Sequence, residues 1–214
     1  MSNRPRLIII AGPNGSGKTT ATEALIGHEW ANSATYINPD NVAQEIFGDW
    51  NSPEAVKKAA DYCDNLREKL LAEKKDMIFE TVFSSPSKLD FVRRAHEAGY
   101  FIRIFYIGTE NPEINAARIA RRYMHGGHTV PIDKVVNRYF RSLANIVSAV
   151  RIADRVYLYD NSVDNRAAFL YARTVDRQFI KVYSETMPLW IKEICDKLNL
   201  KNLAEKKTLT PPNG

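Results

Sequence analysis

Gly12-Pro13-Asn14-Gly15-Ser16-Gly17-Lys18-Thr19 sets three glycines, a lysine and a hydroxyl in one short run, the composition of a backbone cradle for phosphate groups. The apolar run Leu7 to Ala11 precedes it and a helical stretch from Lys18 to Ile26 follows, which is the strand-loop-helix context such a cradle requires. Glycines at 12, 15 and 17 can adopt dihedrals closed to other residues, so successive N–H groups converge on phosphate oxygens and the helix dipole adds partial positive charge. Lys18 would bridge the β- and γ-phosphoryl oxygens, Thr19 would offer its hydroxyl to Mg²⁺, and Thr20 extends the nucleotide-binding run. The chemistry implied is transfer of the γ-phosphoryl of ATP to a hydroxyl on a small acceptor. The alternative is a flexible Gly/Ser turn in front of a helix.

An acceptor hydroxyl must be aligned and must lose its proton to a carboxylate. Asp40 lies just past the carboxyl end of a strand expected over Ala34 to Asn38, at the sheet edge that also carries the cradle. It is the candidate base; otherwise it caps a helix beginning at Val42, a task Asn41 could also perform. Glu80 closes the next strand, where a carboxylate could bind acceptor hydroxyls or hold Mg²⁺ through water, or simply be a solvated strand end. Arg118, Arg121, Arg122 and His125 recur at helical spacing and make one basic face. With the loop Gly126 to Pro131 behind it, that face reads either as a closing segment that stabilises the transferring group or as a solvated surface, with Arg138 and Arg141 as weaker candidates.

The elements that must position these groups alternate. Strands are expected at Leu7–Ala11, Ala34–Asn38, Met77–Val82, Tyr100–Ile107 and Val156–Tyr159, separated by helices that open at Ser52-Pro53, Ser85-Pro86 and Asn111-Pro112 and by a long helix from Ile132 to Val150. The fold class is α/β, three layers around a mostly parallel sheet, with a C-terminal hairpin turning near Asp176-Arg177 and a helix from Pro188 to Leu198. We expect one domain over 1–200, with a mobile lid at about 111–131 and an extension at 163–200, followed by a flexible tail, 201–214.

At 214 residues, 44% hydrophobic and 26% charged, the chain has ordinary globular composition, and no apolar run approaches the length of a membrane span. The polar start, Met1 to Arg6, has no leader-like core, so a cytoplasmic protein is expected. Cys63 and Cys195 are too few and too far apart for a disulfide or zinc framework. The net charge of +5 favours anionic partners, but the basic residues are spread along the chain with no interleaved aromatic stripe, so a nucleotide is favoured over nucleic acid.

Taken together, Gly-Pro-Asn-Gly-Ser-Gly-Lys-Thr at 12–19, Asn-Pro-Asp at 38–40, Phe-Glu-Thr-Val-Phe-Ser at 79–84, the arginines before Gly-Gly-His-x-Val-Pro at 126–131, and Asp-Asn-Ser at 160–162 resemble the zeta toxin family of P-loop kinases. The resemblance implies a kinase using ATP and Mg²⁺, with Asp40 as the base, Asn38, Glu80, Ser84 and His128 on the acceptor side, and an antitoxin protein as partner. Characterised members phosphorylate the 3′-hydroxyl of UDP-N-acetylglucosamine. Here Val82 stands in place of a family threonine and His128 in place of a second arginine, which leaves the acceptor open among sugar nucleotides. The competing readings are a partner-dependent ATPase or switch, which lacks the Leu-Ser-Gly-Gly-Gln and Asn-Lys-x-Asp signatures here, and a polynucleotide 5′-kinase.

Overall fold

The computed structural model describes residues 4–28, 31, 33–48, 52–124 and 130–202. Its strands are β1 (Arg6–Ala11), β2 (Thr35–Ile37), β3 (Met77–Thr81), β4 (Phe101–Gly108), β5 (Arg155–Asp160), β6 (Phe169–Val175), β7 (Phe179–Val182) and β8 (Lys201–Asn202). The helices are α1 (Lys18–Ile26), α2 (Pro39–Phe47), α3 (Pro53–Ala72), α4 (Pro86–Glu97), α5 (Pro112–Met124), α6 (Ile132–Val150) and α7 (Leu189–Leu198). They build an α/β fold on one sheet of order β2-β3-β1-β4-β5-β6-β7-β8. The five strands from β2 to β5 are parallel, and the hairpin β6–β7 adds antiparallel to β5.

β1 sits in the middle because it is apolar on both sides: Leu7, Ile9, Ile10 and Ala11 are wholly buried. Burying each of the larger side chains contributes about 1.5–3 kcal/mol. Leu7 and Ile9 face a large core shared with α3, α4, α6 and α7, whereas Ile8 and Ile10 face a smaller one with Ala21 and Leu25 of α1. The helix layers are therefore unequal. Four helices begin with a proline at their first position, where a missing N–H costs nothing.

Two expectations are corrected. α2 begins at Pro39 rather than Val42, so its cap is Asn38, whose side chain accepts the Asp40 N–H, and neither Asp40 nor Asn41 takes that place. The reason is local: Pro39 supplies a helical φ at the first position and draws the start three residues back. The presumed tail also begins with order, since Lys201 and Asn202 pair with β7. Residues 203–214 lie outside the described residues, as do His125 and the loop 125–129.

Candidate active site

All the chemistry-bearing loops leave the carboxyl edge of the parallel strands, the edge where open α/β sheets hold ligands. The loop from Gly12 to Gly17 joins β1 directly to α1. Gly15 (φ +76°) and Gly17 (φ +90°) are left-handed, and a Cβ at Gly15 would lie 2.7 Å from the Asn115 carbonyl oxygen. α1 has no side-chain cap and no acid in its first turn, so its leading N–H groups stay open to an anion.

Side chains from distant elements hold this loop. Asn115 of α5 donates to the Asn14 carbonyl (2.6 Å), Asn161 after β5 donates to the Ser16 carbonyl (2.8 Å), and the Gly12 N–H donates to Thr81 of β3 (3.2 Å). Asn115 is itself fixed by Thr109, whose carbonyl accepts from the Tyr139 hydroxyl of α6 (2.6 Å). Ser16 Oγ is buried and unpartnered. Nothing in the sequence marked Asn115 as part of the site, while Asn161 belonged to a recognised motif without an assigned task.

Three hollows meet at Gly15. An apolar one of about 470 Å³ lies between α1 and the loop 161–168, floored by Phe105 and Ile107 and flanked by Arg118 and Tyr159. A second, of about 260 Å³, is lined by Lys18, Thr19, Thr20, Arg118 and Arg122. The third, of about 550 Å³, brings Lys18, Thr19, Asn38, Asp40, Glu80, Ser84 and Arg122 together. The carboxylate at position 40 and the glycine loop thus border one cleft.

Within that cleft the Tyr36 hydroxyl donates to Glu80 (2.8 Å) and accepts from the Asn38 amide (2.8 Å), while Asn38 Oδ1 takes the Asp40 N–H (2.9 Å). Asn38 is thereby committed to fixing Asp40 and Glu80 relative to each other. Burial, with the Glu80 charge, pushes the Tyr36 phenol well above its usual range, so it stays a donor. The far wall contains Phe83, buried at φ 59°, with its carbonyl held by Asn145 of α6 (2.9 Å) and that of Val82 by Ser142 (2.8 Å).

The arginine face of α5 divides. Arg118 and Arg121 both bind Asp164 in the loop after β5 (2.7 Å each), whereas Arg122 turns to the cleft with Lys18. Arg138 reaches the Asn14 side chain at 3.4 Å. His128 lies outside the described residues. No cluster of three metal-ligating side chains occurs among the described residues; Thr19, Asp40 and Glu80 offer hard oxygen donors instead, which fits Mg²⁺ carried largely by nucleotide phosphates.

Lys18 Nζ donates to the Pro13 carbonyl (2.9 Å). Burial, helped by the Arg122 charge, lowers its pKa to about 8 against the opposing pull of Glu80 and Asp40. Phosphates arriving at Nζ raise it again, so nucleotide binding takes up a proton above pH 8 and takes up none at this group below it. The expected ATP Kd is flat from pH 6.5 to about 7.5 and rises towards tenfold per pH unit above 8. Calorimetry in buffers of different ionisation heat reads the proton uptake directly, and a flat Kd up to pH 9.5 contradicts it.

The zeta toxin family model matches residues 1–176, from before β1 to the end of β6. The chain belongs to the zeta toxin family. It is 30% identical over 141 residues to an uncharacterized protein of Haemophilus influenzae, covering 63% of this chain and 92% of that one. Among solved structures, that of the PezAT chromosomal toxin-antitoxin system of Streptococcus pneumoniae aligns at TM-score 0.54 and 20% identity, over 78% of this chain and 71% of that one. The AvrRxo1-ORF1:-ORF2 structure with ATP aligns at TM-score 0.62 and 14% identity, over 99% of this chain and 66% of that one. Both show the same fold. This zeta toxin family member is a P-loop phosphotransferase that uses ATP. No helix among the described residues is long and apolar enough to cross a membrane.

Proposed function

We propose that this zeta toxin family kinase transfers the γ-phosphoryl of ATP, with Mg²⁺, to a hydroxyl of a sugar nucleotide, UDP-N-acetylglucosamine first among them. The observation that carries the reading is the shared cleft: Asp40 and Glu80 border it with Lys18 and Thr19, and the same cleft is bordered by Arg67 of α3 and Lys88 of α4. Arg67 is only 5% exposed, and both cations share a single carboxylate, Asp64. Two cations on one acid leave a positive excess suited to an acceptor that carries phosphates of its own. α4 adds an uncapped helix start without an acid in its first turn.

In the reaction Asp40 takes the acceptor proton as the oxygen–phosphorus bond forms and the bond to the β-phosphate oxygen breaks, releasing ADP. Glu80, held by Tyr36, accepts from another acceptor hydroxyl and sets the angle of attack. Lys18 and Arg122 offset charge on the transferring group. Thr19 would hold Mg²⁺, which when bound neutralises the β- and γ-phosphate oxygens.

Incubation with ATP, Mg²⁺ and UDP-N-acetylglucosamine is expected to add one phosphate-sized mass to the acceptor; no gain with this or any other sugar nucleotide removes the reading. Lys88→Ala is expected to raise the acceptor KM about tenfold with kcat and the ATP KM kept, the pattern of lost uniform binding. An unchanged acceptor KM takes the acceptor phosphates away from Lys88.

A further inference from the structure

The lower half of the sheet, on the face that α1 covers only in part, carries a ladder of cations with no counterpart in the phosphotransferase site. Strand register sets Arg103 of β4 directly beside Arg155 of β5, Tyr157 beside Arg173 of β6, and Arg173 beside Lys181 of β7. Residues that register side by side share a face, and this is the face of Ile8, Phe105 and Tyr157. Among the described residues α1 is the helix whose side chains join that face; the large core holds those of α3, α4, α6 and α7.

Like charges directly opposite on neighbouring strands are destabilising, yet two such pairs stand on this face, Arg103–Arg155 on one rung and Arg173–Lys181 on the rung two residues along. Arg155 is relieved by Asp176 (2.5 Å), and Arg103 bonds the Tyr157 side chain. Arg173 and Lys181 form no ion pair among the described residues, and Arg173 Nε is buried without a partner. Lys181 is exposed, and Arg103, Arg155 and Arg173 are half-buried. With strands about 4.8 Å apart and the two rungs about 7 Å apart along the strands, the diagonal row from Arg103 to Lys181 spans about 16 Å.

We propose that this face is a docking surface for an acidic polypeptide segment of a partner protein, whose carboxylates pair with Arg103, Arg173 and Lys181. Carboxylates from one extended or helical segment match the length of the row, and guanidinium forks take carboxylates two oxygens at a time. Single-stranded nucleic acid is disfavoured because it also needs open rings for its bases. Phe101 is covered by the guanidiniums of Arg4, Arg103 and Arg155 at 4.7–5.8 Å and Tyr157 is buried and stacked on Phe105, which leaves Tyr183, exposed beneath Lys181, as a lone ring where successive bases need successive platforms. Arg103, Arg173 and Lys181 line none of the three hollows at the glycine loop, so the test needs neither nucleotide nor acceptor.

The test uses the full chain and labelled poly-L-glutamate of about 30 residues, with an oligothymidylate of equal charge alongside, at about 20 and 150 mM salt. Poly-L-glutamate is expected to bind the more tightly. Lys181→Glu is expected to weaken it at least about tenfold, while Lys57→Glu, an equal charge change on the exposed side of α3, weakens it less than about twofold. The same Lys181→Glu substitution converts a repelling pair with Arg173 into an attracting one and should raise Tm by about 1–3 °C, so lost binding cannot be lost folding. Equal effects of the two substitutions, no binding at the lower salt, or a preference for oligothymidylate that Lys181→Glu abolishes would each overturn the proposal.

Discussion

Lys18→Ala is expected to lower kcat/KM for phosphoryl transfer by about 10³-fold or more, a loss of at least about 4 kcal/mol of transition-state stabilisation. The lysine borders both the hollow under the arginine face and the cleft with Asp40, so in the proposed reaction its charge would face the point where the γ-phosphoryl changes partners. Its amine bonds the Pro13 carbonyl of its own loop, and Asn115 and Asn161 hold that loop independently. The variant should therefore keep its Tm while losing activity. Lys18→Arg should not restore it, because the planar fork is longer and cannot sit where a compact ammonium sits. Product formation by mass and ADP release by a coupled assay measure the effect; retention of more than a tenth of wild-type activity would take Lys18 out of the transfer step.

Asp40→Asn is expected to lower kcat by about 10²–10⁴-fold with the ATP KM within about threefold of wild type, because it removes the proposed proton acceptor and leaves the phosphate cradle intact. The substitution is well suited to the question. It is the Asp40 backbone N–H that Asn38 holds, so the cap of α2 survives a change of side chain. Losing an acid from the first turn of that helix costs about 0.3–1 kcal/mol, too little to unfold the chain. Full activity in Asp40→Asn would end its assignment as base and direct attention to Glu80.

What could be read from the chain beforehand follows the range of the interactions. The strand, glycine loop and helix from Arg6 to Ile26 were legible because five or six neighbouring residues determine each piece. Glu80 near the end of β3 and Asp40 in the first helical turn after β2 were legible as acids at the carboxyl edge of the sheet, since a strand that stops at a proline or a loop announces which edge follows it. The start of α2 was misjudged because Asn38, an ordinary cap, was counted in the preceding strand. The single basic face expected on α5 became two, since only the loop after β5 brings Asp164 to Arg118 and Arg121 and leaves Arg122 to the cleft. The supports of the glycine loop come from residues about a hundred positions or more away, where no local pattern reports them. The same holds for the cationic ladder: its members look scattered in sequence, and only strand register sets them side by side.

Phe83 adds one more consequence. A bulky aromatic kept at φ 59° holds about 1–3 kcal/mol of backbone strain, and the bonds from Ser142 and Asn145 to the carbonyls beside it tie that strain to the shaft of α6. The wall is thereby fastened to a nineteen-residue helix. If this cleft takes the acceptor as proposed, acceptors a methylene wider on that side are expected to lose about 10–200-fold in kcat/KM, and broadening the range means loosening α6 before reshaping any residue that meets the guest.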